Sequence, residues 1–217
     1  MSTPLIEKTA KYVKAKLIDE CTGHDWHHVE RVWKISKRLQ KEEGGDKELI
    51  ELAALLHDLG DYKQYEFNEI KGSLVLHGMM DVIDIDDKAQ EKILDIVAES
   101  QFNGDDTKDP ATIEAKIIRD ADFLETLGAI GIARIFATGG RLRRVIHDPE
   151  RKPRRKLKKY LYQRHAREST SINYFYEKAL RLPDLLVTKT AKRIAEHRVE
   201  YIKDFLEEFF EEWRGER

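Results

Sequence analysis

The chain has 217 residues, enough to bury a hydrophobic core as one large domain or two small ones. Charged residues make up 37% of it, but 39 Lys and Arg nearly balance 41 Asp and Glu, and the net charge of −2 excludes a generic nucleic-acid binder and a disordered polyanion. The one cysteine, Cys21, excludes an intrachain disulfide and a thiolate zinc site, and is expected to be a small buried hydrophobe.

Helical periodicity begins near the N-terminus, where residues 3–19 predict the first helix. This segment contains no apolar run long enough for a signal peptide. No stretch of the chain approaches the roughly 20 apolar residues that a membrane-spanning helix needs. We therefore expect a soluble, cytoplasmic protein without a membrane partner.

The second helical segment opens with histidines, in the sequence HDWHHVERV over residues 24–32. If the helix begins near Asp25, His24 and His28 lie one turn apart, and Arg31 lies near His28 on the helix surface. A neutral imidazole is a common metal ligand, and a guanidinium one turn away suits an anionic substrate. Taken alone, the pattern fits a polar helix start equally well.

A third helix is predicted over residues 47–59, and its end lies in the sequence LAALLHDLGD. His57 and Asp58 follow a run of five apolar residues, and burying a histidine and a carboxylate there is costly unless something pairs with them. A metal ion would do so, and Gly60 would let the helix end so that adjacent residues converge on the ion. The alternative is a satisfied core histidine beside an Asp58 that caps the helix end.

Two carboxylates interrupt a strongly apolar helix predicted over residues 113–128, after a helix at 88–99 and turn patterns at 103–106 and 109–110. Asp120 and Asp122 lie two residues apart and therefore on different faces, so only one is expected to bind an ion directly. The other could orient a histidine ligand, as carboxylates behind metal ligands do.

A basic stretch follows the small-residue segment that ends at Gly139 and Gly140. Residues 141–167 contain twelve Lys or Arg and two acids. The part over residues 151–160 could attract a polyanionic nucleotide, dock nucleic acid or form a solvated loop. Because it lacks the interleaved aromatic residues of a single-strand-binding surface, we do not expect nucleic acid as a partner.

Further helices are predicted over residues 169–182 and from residue 194 onward. The last carries an apolar stripe that indicates either a core face or a homodimer contact, formed by Tyr201, Ile202, Phe205, Leu206, Phe209 and Trp213. Because no alternating strand pattern is found, the chain is predicted to be all-α with nine or more helices. We expect a single compact domain over residues 1–217, with a metal-binding core at about 20–130 and C-terminal helices at about 165–213 packed on it.

The three segments that carry histidine and aspartate, H…HD…D, together resemble the HD superfamily of metal-dependent phosphohydrolases. The resemblance implies a multi-helix fold in which a first histidine, a His-Asp pair and a distant aspartate ligate one divalent cation. Carried onto this chain, the ligands are His28, His57, Asp58 and Asp122. The HDxxHxxRV form selects His28 as the first ligand rather than its neighbour His27.

The resemblance covers nearly the whole chain and is nearer to a bacterial and archaeal subgroup that includes nucleotide pyrophosphohydrolases. It rests on shared stretches at residues 114–116, 128–140, 147–149, 173–180 and 188–192. One departure is the sequence ESQF at residues 99–102, where the subgroup often has a histidine before Ser-Phe. The missing histidine favours a mononuclear site.

By this resemblance the ion is expected to be Mn²⁺, and Mg²⁺, Fe²⁺, Co²⁺, Ni²⁺ or Zn²⁺ also suit the nitrogen and oxygen ligands. A metal-bound hydroxide would attack a phosphoryl group of the substrate. Asp61 is a candidate for positioning the water, and Arg31 and Lys63 are candidates for stabilising the phosphoryl charge. The candidates for substrate binding are Arg141, Arg144 and Lys178. For each of these six residues, a surface ion pair is the simpler alternative.

The resemblance implies a small phosphorylated substrate, and cleavage of a nucleoside triphosphate to the monophosphate and pyrophosphate is the first hypothesis. A 5′-nucleotidase-type phosphomonoesterase would use the same chemistry. The basic stretch suggests a different class, a regulatory or nucleic-acid-binding module in which the HD site is structural. Intact ligands argue against that class, because a structural role needs no open coordination position.

Overall fold

A computed structural model of the protein describes residues 3–59, 68–160 and 167–217. Over these residues the chain forms nine α-helices and no strand, which confirms the all-α prediction. The helices are α1 (Pro4–Lys16), α2 (Trp26–Glu43), α3 (Lys47–Leu56), α4 (Glu69–Ile83), α5 (Asp87–Ser100), α6 (Ile113–Glu125), α7 (Gly128–Arg141), α8 (Ser171–Glu177) and α9 (Lys189–Arg214). Two 3₁₀ segments are Gly104–Asp106 and Ala179–Leu185. In the same described ranges, no helix combines the length and the apolar character needed to cross a membrane.

Short polar side chains begin eight of these nine helices by accepting a hydrogen bond from a backbone N–H of the first turn. The capping residues are Thr3, Asp25, Asp46, Asn68, Asp86, Thr112, Thr170 and Thr188. Helix α7 begins instead at Gly128, whose φ of 72° is an angle that residues with a Cβ rarely adopt. Local sequence therefore determines where most of the helices start.

Several helices end earlier than their sequence patterns predict. Helix α1 ends at Lys16 rather than at residue 19, α3 at Leu56 rather than at 59, and α6 at Glu125 rather than at 128. The helix predicted over 169–182 divides into α8 and the 3₁₀ segment Ala179–Leu185, which contains Pro183. A proline inside a helix removes a backbone hydrogen bond, so the α-helical pattern does not continue through it.

Helix α4 is not predicted by the periodicity because apolar residues lie on both of its faces. Its core side carries the buried residues Leu76, Met80 and Ile83. Its other side exposes Ile70, Leu74 and Val82 by 62–75%. An all-round apolar pattern of this kind hides the helical period.

Helix α7 was not recognised either, because small residues dominate its sequence. Two of its glycines are required by close packing of the helix. A Cβ on Gly131 would run into the carbonyl oxygen of Thr126, and a Cβ on Gly139 would run into the hydroxyl of Ser171. Small residues here allow close approach rather than marking a loop.

Two clusters of buried apolar side chains hold the helices together. The larger joins α2, α3, α5 and α6 to α7, α8 and α9, and the smaller joins α1 and α4 to other faces of α2, α3 and α5. Helix α6 lies at the centre of the larger cluster, and its residues Ile117, Ile118, Ala121 and Leu124 have no exposed surface. The segments that carry the histidines and aspartates therefore pack against one another through α2, α3 and α6.

The C-terminal helix α9 packs on the same core as the N-terminal half of the chain. Its residues Ala191, Ala195, Ile202 and Leu206 belong to the cluster that contains α2 and α6. Tyr201 and Trp213 of the predicted stripe remain 49% exposed. The stripe is thus mainly a core face of this chain, while the homodimer contact and the domain limits at about 130 and 165 stay predictions.

The basic stretch between α7 and α8 is irregular but is fixed to the rest of the chain at several points. Leu157 is buried, and its carbonyl accepts a hydrogen bond from the backbone N–H of Asp105 (2.8 Å). Arg154 pairs with the buried Glu177 at 2.6 Å. The described part of the stretch is therefore not a free linker, although most of its charged side chains face solvent.

Candidate metal centre

His28 reaches the interior of the protein from the first turn of α2. Asp25 caps this helix by accepting a hydrogen bond from the backbone N–H of His28 (2.8 Å). The imidazole of His28 has no exposed surface, and Val29 and Val32 beside it are also fully buried. The helix begins where the sequence predicts, and its first turn carries the imidazole into the core.

His57 and Asp58 occupy the turn that follows α3. Nδ1 of His57 lies 2.8 Å from the carbonyl oxygen of Ala54. Because a carbonyl only accepts, Nδ1 carries the hydrogen, and Nε2 of the neutral ring presents a lone pair. Both side chains are buried, so the end of this apolar helix places an imidazole and a carboxylate inside the protein.

Helix α6 presents Asp122 and Glu125 to the same region, one turn apart. The side chain of Asp122 is 29% exposed, whereas that of Glu125 is buried. Asp120 points elsewhere, because it accepts hydrogen bonds from the backbone N–H and the hydroxyl of Thr188 (2.7 Å each). The expectation that this second aspartate orients a histidine ligand is therefore wrong. Glu125 has that position, since its Oε2 lies 3.3 Å from Nδ1 of His28.

The side chains of His28, His57, Asp58 and Asp122 converge on one point between α2, α3 and α6. Nε2 of His28 lies 3.5 Å from an oxygen of Asp58 and 3.5 Å from an oxygen of Asp122. Nε2 of His57 lies 3.4 Å from Nε2 of His28. The same His57 atom lies 3.8 Å from Asp58 and 4.0 Å from Asp122. These side chains form two overlapping groups of possible metal ligands, one of His28, His57 and Asp122 and the other of His24, His28 and Asp58.

This donor set fits a divalent cation. Nδ1 of His28 faces a carboxylate and Nδ1 of His57 faces a carbonyl, so in the neutral rings the two Nε2 lone pairs face each other across 3.4 Å. Two lone pairs at that distance repel each other unless positive charge lies between them. Imidazole nitrogen and carboxylate oxygen together suit first-row divalent metals. The chemistry of the residues therefore matches a divalent metal ion.

The two carboxyl groups of this cluster stay ionised. Burial alone would raise the pKa of Asp58, but the charges of His24 and His57 hold that pKa well below its usual value. Burial also acts on Asp122, yet its interactions with the imidazoles of His28 and His57 lower its pKa. The centre thus contains two negative charges, which protons on the imidazoles or a bound cation would balance.

His24 is a further member of the cluster that the sequence analysis did not assign. Its Nδ1 lies 3.0 Å from Oδ2 of Asp58, and its side chain is 31% exposed. The carboxylate of Glu20 holds the loop before α2 by accepting hydrogen bonds from the backbone N–H groups of Thr22 and His24. Cys21 in the same loop is exposed, so the expectation of a buried thiol is wrong. The HDxxH spacing was the pattern that could have identified His24.

Arg31 forms an ion pair with Glu125. Its Nε donates to Oε2 of Glu125 at 2.7 Å, and this oxygen is the one that faces His28. Burial alone would raise the pKa of Glu125, but the hydrogen bonds and charges of His28 and Arg31 outweigh burial and lower it. Glu125 was not predicted, although a glutamate one turn after Asp122 on an apolar helix could have indicated it. A role for Arg31 at the phosphoryl group stays a prediction.

Arg141 lies beside the loop that carries His24. A guanidinium nitrogen of this residue, at the end of α7, lies 3.4 Å from a carboxylate oxygen of Glu20 and 3.3 Å from the hydroxyl of Thr22. The side chain is 58% exposed. It therefore provides positive charge at the solvent side of the cluster.

The other two cations predicted to bind substrate lie against aromatic rings. The guanidinium of Arg144 is 4.8 Å from the ring centre of Tyr174. Lys178 is 7% exposed, and its ammonium lies 5.3 Å from the ring centre of Phe102 and 5.7 Å from that of Tyr174. Their roles in substrate binding stay predictions. The remaining candidates, Asp61 and Lys63, lie outside the described residues.

Comparison with protein families gives a match that contains the four proposed ligands. The family model described as HD domain matches residues 25–127. This range contains His28, His57, Asp58 and Asp122 together with Glu125. It begins at the residue that caps α2 and ends just beyond α6.

Individual proteins are similar to this chain over nearly its full length. The Bacillus subtilis protein YpgQ is 30% identical over 207 residues, which is 92% of this chain and 89% of YpgQ. A crystal structure from Lactobacillus plantarum superposes with a TM-score of 0.87 at 30% identity and covers 99% of this chain and 100% of that one. An HD-superfamily hydrolase from Bacillus thuringiensis gives a TM-score of 0.68 at 37% identity, with 96% of each chain covered. The crystal structure of YpgQ in complex with ADP shares the fold, with a TM-score of 0.71, 24% identity in the superposition, and 95% of this chain and 97% of YpgQ covered.

Proposed function

The chain belongs to the HD superfamily of hydrolases, and on that premise we propose that it is a metal-dependent phosphohydrolase that acts on a nucleotide. The observation that carries the proposal is that the Nε2 atoms of His28 and His57 lie 3.4 Å apart and each lies 3.5–4.0 Å from carboxylate oxygens of both Asp58 and Asp122. A site of this composition is suited to hydrolytic chemistry because it binds a cation while leaving coordination positions open.

The ion is proposed to be Mn²⁺, held by His28, His57, Asp58 and Asp122. Four protein ligands leave two positions of a six-coordinate ion for water and a substrate oxygen. A divalent ion in this place would polarise a phosphate oxygen and make a water molecule more acidic near neutral pH. The mixed oxygen and nitrogen donors suit first-row divalent ions in general, and the carboxylate oxygens are of the kind that suits Mn²⁺.

The substrate is proposed to be a nucleoside triphosphate. Support comes from YpgQ, a relative that has been crystallised with ADP. In the proposed reaction a water oxygen adds to the α-phosphorus while the bond to the α–β bridging oxygen breaks, so that nucleoside monophosphate and pyrophosphate are released. Both products are anions, and the reaction needs cationic partners for the charge on the phosphates.

Residues on the solvent side of the cluster would receive the phosphates. Asp122 and His24 are the partly exposed members, at 29% and 31%, so the substrate is expected to approach between them. Arg141 lies beside the same loop and is 58% exposed, which suits it to pair with a phosphate oxygen. Its present partner, Glu20, lies 3.4 Å away, and an ion pair at that distance with an exposed guanidinium is weak enough for a phosphate to replace it.

The test is release of pyrophosphate against orthophosphate from a panel of nucleotides with Mn²⁺. We expect pyrophosphate from nucleoside triphosphates and loss of at least about 100-fold in rate for His57→Ala, because a missing ligand disables the ion. The matched control is His77→Ala on α4, where an exposed histidine pairs with Asp81 (3.5 Å) and activity should be unchanged. Orthophosphate from monophosphates would instead identify a 5′-nucleotidase. If neither product is released and nucleic-acid binding survives His57→Ala, the enzyme proposal is wrong.

A further inference from the structure

We propose that Glu125 is a positioning residue for the metal centre and that Arg31 acts through it. The inference rests on the proposed metal site but not on the identity of the substrate. Oε2 of Glu125 lies 3.3 Å from Nδ1 of His28 and 2.7 Å from Nε of Arg31. His28 is fully buried and Glu125 is 1% exposed, so this chain of three side chains lies inside the protein behind the ligands.

The carboxylate of Glu125 determines which nitrogen of His28 faces the ion. It accepts a hydrogen bond from Nδ1, which leaves Nε2 without a hydrogen and directed toward Asp58 and Asp122. The negative charge also makes the imidazole a stronger donor. Nδ1 of His57 donates instead to a neutral group, the carbonyl of Ala54. The two imidazoles thus have different partners at Nδ1, and only His28 depends on a charged side chain for its strength as an electron-pair donor to the ion.

Arg31 is the ionic partner of Glu125 in this buried place, with its Nε 2.7 Å from Oε2 of the carboxylate. A carboxylate as enclosed as Glu125 is costly without an ionic partner, and the guanidinium of Arg31 is 32% exposed while its Nε reaches inward. The backbone around Glu125 is also fixed, because Arg134 donates to the carbonyl of Glu125 (3.1 Å) and Arg198 to that of Leu124 (2.5 Å). The carboxylate therefore cannot turn away from His28 without leaving both partners.

The first experiment measures Mn²⁺ affinity by titration calorimetry for wild-type protein and Glu125→Gln. The expected result is a rise in the dissociation constant of about 10–100-fold, as is typical when the group behind a metal ligand is changed. The matched control is Glu51→Gln. Glu51 is also a buried glutamate, but it accepts a hydrogen bond from the indole N–H of Trp33 (2.8 Å) instead of facing a histidine. This control should bind Mn²⁺ as the wild type does, even if both variants lose thermal stability.

The second experiment asks whether Arg31 works through Glu125. Arg31→Met should weaken Mn²⁺ binding by less than Glu125→Gln, and the double variant should be no weaker than Glu125→Gln alone, because residues acting in series are not additive. Arg31→Lys, which keeps the charge, should recover part of the affinity. Arg38→Met, an exposed position two turns further along α2, is the control and should change nothing.

Three outcomes would overturn the inference. Glu125→Gln could bind Mn²⁺ as tightly as wild type while unfolding at a lower temperature, which would leave Glu125 a purely structural residue. Arg31→Met could raise KM for the nucleotide while Mn²⁺ affinity is unchanged, which would make Arg31 a substrate-binding residue. If the wild-type protein binds no Mn²⁺, the proposed metal site itself is wrong. If Glu125→Gln weakens Mn²⁺ binding but the wild-type protein cleaves no nucleotide, the inference is supported and only the proposed substrate is contradicted.

Discussion

Two aspartates on α6 have different partners because residues two positions apart lie on different faces of a helix. Asp122 faces the imidazoles of His28 and His57, and its Oδ1 lies 3.5 Å and 4.0 Å from their Nε2 atoms. Asp120 faces the opposite way and accepts hydrogen bonds from the backbone N–H groups of Val187 and Thr188 at the start of α9. One carboxylate is thus available to an ion, and the other is used to attach a helix.

The pair gives a test with an internal control. Asp122→Asn should weaken Mn²⁺ binding by at least about 10-fold, because it removes the charge of a proposed ligand. Asp120→Asn should lower the free energy of unfolding of the metal-free protein by about 1–3 kcal/mol, because a buried hydrogen-bonded carboxylate is lost, and should leave Mn²⁺ affinity near wild type. Urea unfolding with and without Mn²⁺ measures both. Equal effects of the two substitutions on Mn²⁺ affinity would contradict the assignment.

Residues whose role depends on one segment were predictable, and residues whose role depends on tertiary contact were not. His57 and Asp58 stand out because polar groups end an apolar helix, and the different faces of Asp120 and Asp122 follow from helical geometry. The spacing does not show which of these two aspartates points toward the histidines. The spacing of Glu125 one turn after Asp122 indicates a shared helix face, but its partner His28 is on α2 and is known only from the packing of α2 on α6.

At the scale of elements, helices α6 and α7 are joined by a tight turn that glycine makes possible. Gly128 has the positive φ at which α7 begins, and Gly131 one turn later lies against the backbone of Thr126. Arg134 of the same helix donates to the carbonyl of Gly23, in the loop before α2, and to that of Glu125. Helix α7 therefore holds the loop of His24 and the end of α6 together.

Substitution by alanine should have opposite effects on stability at two glycines of α7. Gly131→Ala should destabilise the protein by about 1–3 kcal/mol, because its Cβ would meet backbone that cannot move aside. Gly140→Ala has nothing within 4 Å of the new Cβ, and should stabilise the helix by about 0.5–1 kcal/mol. Urea denaturation of both variants checks the pair, and a Gly131→Ala protein as stable as wild type would show that α7 does not pack so closely.

Element prediction succeeded where hydrophobic faces are one-sided and failed where they are not. The caps and the apolar stripes of α2, α6 and α9 agree with helices in the structure. Helix α4 exposes Ile70, Leu74 and Val82, so its buried face does not stand out. Helix α7 replaces large apolar residues by glycine and alanine, which a sequence pattern does not distinguish from a turn.

At the scale of the whole molecule, the site couples stability to metal and pH. Asp58, Asp122 and Glu125 have pKa values lowered by their cationic neighbours. Because folding lowers these pKa values, the stability that they contribute is present above the pKa of an unfolded carboxyl, about 4, and is lost as pH falls further. Metal binding has a separate dependence, since the imidazoles must be free of protons to act as ligands.

Thermal unfolding at a series of pH values should separate these two effects. At pH 7.5, Mn²⁺ at 100 times its dissociation constant should stabilise the protein by about 2.7 kcal/mol. At pH 5 this increment should be smaller, because metal ligands must be free of protons and protons compete with the ion for them, while the metal-free protein keeps its melting temperature. Below about pH 4 the metal-free protein should lose stability as well. An increment that persists unchanged at pH 5 would exclude histidine ligands.

The attachment of Asp120 to Thr188 also has a consequence for the order of events during synthesis. The two residues are 68 positions apart in the chain. At a translation rate of about 5–20 residues per second, the partner of Asp120 emerges several seconds after α6 itself. His28, His57, Asp58 and Asp122 all leave the ribosome before α9 can secure helix α6. A nascent chain thus carries every proposed metal ligand before it has a finished scaffold to hold them.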